Sequence, residues 1–251
     1  HLWVFSNEIA TTSGSAEAGA LAQVYAASGR PIGLAFYNPK SLIACRIVAW
    51  EPEPIDAGFF RRRLAQAIAF RERVCPGETS YRLCFGESDG LPGLVIDRYE
   101  SSLVLQVLSA GIEVRLPLIE EALRELLSPS CIHLKNDHRT RLLEGLPIEC
   151  RTLYGALPDK MEISEGGLRF IAPVGEGQKT GHYFDQRDNR AFLRPYFGGR
   201  VVMDLYCYTG AFAVNAAKFG AKSVLAIDSS KPAILTAREN AKLNGVEAKV
   251  E

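Results

Sequence analysis

What the 251-residue chain lacks narrows its class before any motif is read. It has no excess charge of either sign: Lys plus Arg and Asp plus Glu number 29 each. A protein dominated by non-specific attraction to nucleic acid is thereby excluded, although a local basic face is not. It has no run of 18 uncharged apolar residues, so no membrane-spanning segment is expected. No secretory leader is expected from the first residues, because His1-Leu-Trp-Val-Phe-Ser-Asn-Glu8 shows neither a basic start nor a cleavage pattern. Its six cysteines (45, 75, 84, 131, 150 and 207) contain no C-x-x-C pair, and several sit in apolar runs. Reduced, buried thiols in a cytoplasmic protein fit better than a disulfide scaffold or a zinc site. There is no internal repeat, no low-complexity tract and no G-x-G-x-x-G. His133 and His138 have no cysteine beside them, so no metal is expected. The chain does not begin with Met, and its last residues look like the start of a strand. Both ends read as cuts through a longer protein.

What is present is ordinary globular composition, 47% hydrophobic and 23% charged, in a length that suits two domains or three small ones. The chain is organised around Gly199-Arg-Val-Val-Met-Asp-Leu-Tyr-Cys-Tyr-Thr-Gly-Ala-Phe212. Val201, Val202 and Met203 read as a buried strand ending on Asp204. A tight turn follows, then an apolar helix from Ala211. A second strand, Ser223–Ile227, ends on Asp228. This strand-turn-helix places backbone N–H groups and a helix start around a ligand, and an acid ending the second strand suits a ribose. The turn holds only Gly210, with Tyr206 and Tyr208 where a pyrophosphate would need small residues, and Asp204 would repel a phosphate. A carboxylate there suits a cationic amine, so S-adenosylmethionine is expected in preference to NAD. The bland alternative is an unliganded α/β unit.

Before this unit the chain changes character twice. Residues 1–52 read as short strands, Leu21–Tyr25, Gly33–Tyr37 and Ile43–Trp50, closing as a small barrel able to bind RNA or to serve structurally. Glu51-Pro-Glu-Pro54 reads as a linker. Residues 53–160 read as a central α+β domain. Its first helix is capped by Asp56, runs to about Val74 and carries the stripe Phe60, Leu64, Ala67, Ile68 and Val74. Arg61, Arg62, Arg63, Arg71 and Arg73 crowd its other face, as an RNA contact or as a plain solvated face. Strands at 81–85, 93–97 and 103–108, a helix from Pro117 and a strand at 131–134 complete this part. Residues 161–251 begin with a hairpin through Glu165-Gly-Gly167. The polar stretch Gly175–Arg190 follows, with a helix opening near Asp185, and it is too rich in functional groups for a mere connection.

Together these motifs resemble the RlmI-like class I rRNA methyltransferases, which act on C5 of a cytosine in 23S rRNA. The resemblance rests on His1–Ser6, Gly86–Tyr99, Glu176-Gly-Gln-Lys-Thr-Gly181, Asp185-Gln-Arg-Asp-Asn189 and Asp204–Gly210, in that order and spacing. It implies a multidomain fold: a PUA-like barrel, a central α+β domain and an incomplete Rossmann-like methyltransferase domain. It implies that Asp204, Tyr206, Cys207, Gly210 and Asp228 belong to the S-adenosylmethionine site. Lys179, Tyr183, Asp185, Gln186, Arg187 and Asn189 would lie beside them. Where His182 stands, the family usually has Phe or Tyr, and a substrate contact is open there. The Asp-Pro-Pro motif and the later cysteine of the family are absent, so the catalytic residues are expected beyond residue 251 and this segment alone is expected to be inactive. C5 chemistry needs a thiolate at C6, and Cys207 reads as a pocket residue, not that thiolate. Expected partners are 23S rRNA and no membrane, with a homodimer possible. The remaining alternatives are a non-catalytic RNA-binding protein with a decayed methyltransferase domain, an RNA guanine-N2 methyltransferase, and an NAD-linked oxidoreductase.

Overall fold

The computed structural model describes residues 2–175, 177 and 179–251. His1, Glu176 and Gln178, which fall in two of the quoted motifs, lie outside the described residues. The chain forms two compact units, residues 1–76 with 82–157, and residues 77–81 with 158–251.

The first unit opens on a four-stranded antiparallel sheet in the order β1-β4-β3-β2. Its strands are β1 (Trp3–Val4), β2 (Ala20–Tyr25), β3 (Pro31–Tyr37) and β4 (Cys45–Ala49). The turn at Ser28–Pro31 joins β2 to β3, closed by the bond from Ala26 N–H to the Arg30 carbonyl. Ala35, Cys45 and Ile47 form its small core, with Leu2, Val4 and Val24 against them. Helix α1 (Ala57–Val74) starts where expected: the Asp56 carboxylate accepts the Phe59 N–H at 3.0 Å. Phe59, Phe60, Leu64 and Ala67 are buried. Val74 is 50% exposed, because it ends the helix beyond its packed face.

A five-stranded sheet follows, in the order β5-β6-β7-β8-β9. Its strands are β5 (Ser80–Phe85), β6 (Leu94–Tyr99), β7 (Ser102–Val107), β8 (Cys131–Asn136) and β9 (Glu149–Gly155). Strands β6 and β7 pair antiparallel, β7 and β8 parallel, and β8 and β9 antiparallel. The parallel step is made by the crossover through α2 (Ala110–Val114) and α3 (Leu116–Leu127), as parallel neighbours require. Short α4 (Thr140–Leu143) ends on buried Glu144, which draws the four-stranded sheet onto the rest of the unit. Its carboxylate accepts from Ser41 Oγ at 2.6 Å, Asn38 Nδ2 at 2.9 Å and the Arg46 guanidinium at 3.0 Å. Burial raises its pKa and these donors outweigh burial, leaving it below the ordinary value. His133 is buried with Nδ1 3.2 Å from Thr152 Oγ1, and His138 caps its own turn toward Thr140.

In the second unit the expected hairpin is β10 (Met161–Glu165) paired with β11 (Leu168–Ala172). Helix α5 (Arg187–Leu193) follows a 3-10 turn at Phe184–Gln186. Strand β12 (Val201–Leu205) leads to α6 (Ala211–Lys218), then β13 (Ser223–Ile227) and α7 (Lys231–Leu243). Strands β12 and β13 are parallel, with Asp204 opposite Ala226. The Ser230 hydroxyl caps α7 at Ala233 N–H, and Pro232 sits in its first turn. Strand β12 is not the buried strand its sequence suggests: Val201 is 74% and Met203 61% exposed. Side chains alternate faces along a strand. Val224 faces the side packed by α6 and is buried, whereas Val201, Met203 and Leu205 lie on the face that no described element covers.

Cysteine usage departs at one position. All six thiols are free and five are buried, but Cys150 is exposed on β9.

Candidate functional site

The site grows from the turn between β12 and α6. Three of its residues adopt left-handed backbone: Tyr206 at φ 60°, Tyr208 at φ 50° and Gly210 at φ 76°. Such φ values are uncommon for tyrosine and mark a conformation held by its surroundings. The holding contacts are visible. Asp228 Oδ2 accepts the Tyr208 N–H at 2.9 Å, and its Oδ1 accepts Ser230 N–H at 2.8 Å. Asp204 Oδ2 accepts Ala213 N–H at 3.0 Å in the first turn of α6. Asn240 on α7 donates to the Thr209 carbonyl at 2.9 Å. Gly210 is required twice over, by its φ and because an added Cβ would lie 2.9 Å from Ala237 Cβ.

Facing this turn is the segment that precedes α5. Tyr183 packs edge-on to Tyr208 with ring centroids 5.4 Å apart, and the Tyr208 hydroxyl donates to the Gly181 carbonyl at 3.3 Å. Lys179 lies 4.2 Å from the Tyr183 ring centroid and 3.1 Å from the Asp185 carboxylate. Between segment and turn lies a cavity of about 570 Å³. Lys179, Tyr183, Asp185, Gln186, Tyr206, Cys207 and Asp228 all line it. Four expected residues do not. Asp204 bonds to the first turn of α6, Gly210 ends the turn against Ala237, Asn189 donates to Gln186 Oε1 at 2.9 Å, and Arg187 reaches Asp188. The cavity also takes in Thr209 and Phe212 from the quoted turn, His182, the position open to a substrate contact, and Ser229, which lies outside the quoted motifs.

Beneath the segment sits a buried charge cluster that sequence reading missed. Glu165, the end of β10, receives two bonds from the Arg190 guanidinium at 2.6 Å each, and His182 Nε2 lies 3.2 Å from it. Arg190 also donates to the Tyr183 carbonyl at 2.9 Å. All three residues are 2% exposed or less. Burial works against the Glu165 charge, yet bonds from His182 and Arg190 prevail and hold its pKa at about 2. The His182 ring lies between Phe170 and Phe184, at 5.6 and 5.0 Å, which explains why an aromatic ring suits that position. The signal was present as a Glu closing a strand and an Arg in a polar segment, but nothing in their spacing pairs them.

The electrostatics of the site are set by two nearby acids. Burial, followed by the Asp228 charge, pushes Asp204 up to about 6 against the bond from Ala213. Burial and both carboxylates push the Cys207 thiol up to about 11, so at neutral pH it is not a thiolate. Asp185 is held below its ordinary value, because Lys179 outweighs its burial. A carboxylate this reluctant to ionise gains from a cationic ligand group, and each Asp228 oxygen keeps a lone pair for a hydroxyl donor. An amino acid sulfonium joined to a nucleoside offers both features, so the residues present fit it.

The model of the PUA-like domain matches residues 1–50, and that of the S-adenosylmethionine-dependent methyltransferase matches residues 126–250. Ribosomal RNA large subunit methyltransferase I of Aeromonas hydrophila is 40% identical over 98% of this chain and 64% of its own length. The Vibrio cholerae protein of the same name is 40% identical over 98% of this chain and 63% of its own. The chain thus spans a little under two thirds of these relatives. Among solved structures, a Streptococcus mutans protein assigned as a SAM-dependent methyltransferase superposes with a TM-score of 0.85 at 20% identity, covering all of this chain and 65% of that one. A structure of a protein assigned as a methyltransferase, complexed with SAH, also gives 0.85, at 20% identity, covering 99% of this chain and 64% of that one. At that identity both establish the fold alone.

Proposed function

We propose, from the premise that this chain belongs through residues 126–250 to the S-adenosylmethionine-dependent methyltransferases, that the complete protein methylates large-subunit ribosomal RNA, at C5 of a cytosine. One observation carries the reading: the cavity of about 570 Å³ gathers Lys179, Tyr183 and Asp185, the turn residues Tyr206, Cys207, Tyr208 and Thr209, and Asp228 in a single place. Bound there, S-adenosylmethionine supplies an electrophilic methyl group.

The chain's own residues bind and orient. Asp228 presents acceptor oxygens to the ribose hydroxyls while its bonds to Tyr208 and Ser230 fix the turn. Asp204 places negative charge near the cationic end. Tyr183 and Tyr208 give the cavity an apolar wall. Cys207, at about 11, lines the pocket and does not serve as the nucleophile that attack at C6 requires. Three functional divisions go with this reading: 1–52 for RNA, 53–160 as the central α+β part and 161–251 for the cofactor. No helix among the described residues is long and apolar enough to cross a membrane, and a ribosomal substrate places the protein in the cytoplasm. A homodimer is checked by light scattering of the complete protein.

Calorimetric titration of the complete protein with S-adenosylmethionine, with NAD as control, tests the cofactor. Binding of the first alone is expected, followed by methylation of ribosomal RNA mapped at base resolution to a cytosine. Failure to bind, or a methyl group on another base, overturns the corresponding half of the reading.

A further inference from the structure

The first unit holds a second concavity, of about 560 Å³, between β4 with its following residue Trp50, helix α1, and the turn 87–90. Its volume is in the range of ligand-binding clefts. Two large aromatic side chains open onto it while remaining well exposed, Trp50 at 55% and Phe70 at 46%. No hydrogen bond to the Trp50 indole N–H occurs among the described residues. Leu2, Ile47, Val48 and Ala67 supply apolar lining, and Arg63 and Arg71 stand among the aromatics. The guanidinium groups of Arg71 and Arg73 lie 5.2 and 5.8 Å from the Phe70 ring centroid.

The charges are unequally engaged. The two acids of the concavity are already held. Asp89 takes a two-pronged contact from Arg71 and the Phe85 N–H, and Glu87 takes the Trp3 indole N–H at 2.7 Å and Arg46 at 3.4 Å. Arg63 has a 4.0 Å approach to Glu53, whose nearer contact is Arg62 at 2.5 Å, and its guanidinium lies 5.2 Å from the Phe59 ring centroid. The surface thus offers two exposed aromatic side chains and arginine charge to a ligand, with its carboxylates engaged elsewhere. Flat rings beside guanidinium groups match the alternation of bases and phosphates along an unpaired strand.

We propose that this groove binds unpaired nucleotides of an RNA strand, with bases stacked on Trp50 and Phe70 and phosphates near Arg63 and Arg73. That the strand is RNA rests on the function proposed above. The groove's preference for an unstacked strand over a duplex rests on its own geometry, since a paired base keeps its faces in the helix.

The test uses the complete protein without cofactor. Tryptophan fluorescence is titrated with a single-stranded 12-nucleotide RNA of mixed sequence, and with the same sequence as a blunt duplex. The single strand is expected to quench fluorescence and to bind more tightly than the duplex. Trp50→Ala should remove the quench, and Trp50→Ala and Phe70→Ala should each weaken single-strand binding about ten-fold, the loss of one stacked base. Trp50→Phe should keep most of the affinity. Affinity for S-adenosylmethionine should be the same in all variants, which also shows that they fold. Wild-type single-strand affinity in both alanine variants, or equal binding of the duplex, overturns the proposal. RNA binding through Trp50 in a protein that takes no S-adenosylmethionine leaves the groove in place and removes the methyltransferase reading instead.

Discussion

At the scale of single residues, the site turns on two carboxylates that differ in how they are held. Asp228 has both oxygens on backbone N–H groups, so its removal costs the turn as well as the ligand. Asp228→Ala should weaken S-adenosylmethionine binding by about ten-fold to a hundred-fold, the range for bonds to a charged acceptor. Asp228→Asn separates the two effects: it retains an acceptor for the turn and loses the charge. Unchanged calorimetric affinity in the alanine variant would remove Asp228 from the site. Asp204 makes a pH prediction. With its pKa at about 6 in the free protein, a cationic ligand that lowers it binds best to the ionised form. Affinity should therefore be flat above about pH 7 and fall as pH drops through 6, by at most ten-fold per unit, with proton release on binding near pH 6. Asp204→Asn should flatten that profile, which isothermal titration in buffers of different ionisation enthalpy can read.

At the scale of elements, the buried Glu165–Arg190–His182 cluster ties the end of β10 to the segment that forms one cavity wall. Glu165→Gln leaves the Arg190 charge buried without its counter-ion and should cost about 3–5 kcal/mol in chemical denaturation. The sign of its acid dependence follows from a carboxyl lowered from 4.5 to about 2. Its stabilising contribution is complete above 4.5 and is lost as pH falls toward 2, so the Gln variant should show a flatter acid limb there. Helix α1 gives a smaller, cleaner test: Asp56→Ala removes one capping bond and should cost about 1 kcal/mol. This cap was legible in the sequence, as were α1, through its cap and stripe, and α3, through the proline at its start. Strand β1 at two residues, α2 at five and α4 at four are too short for any period to show. The turn 206–210 was marked as a candidate site by its two flanking acids. Its left-handed tyrosines and the cluster beneath it could not be read, because both depend on residues brought together only by folding.

At the scale of the whole chain, the formal neutrality of these 251 residues constrains how they would hold the RNA proposed as substrate. With 29 basic and 29 acidic residues, there is no overall field to draw in a polyanion, so attraction has to be local. The groove in the first unit is where local charge and ring surface coincide. Affinity that rests largely on stacking differs measurably from affinity that rests on phosphate contacts. Counterion release lowers log affinity with log salt by about 0.7 for each single-strand phosphate contacted. If Arg63 and Arg73 make the phosphate contacts, the single-strand slope should be shallow, near −1.4. Arg63→Gln and Arg73→Gln should each make it shallower by about 0.7, while Phe70→Ala should weaken binding without moving it. A steep slope of several units, insensitive to both arginines, would place the main RNA contact elsewhere. Stacking would then be a secondary feature of this surface.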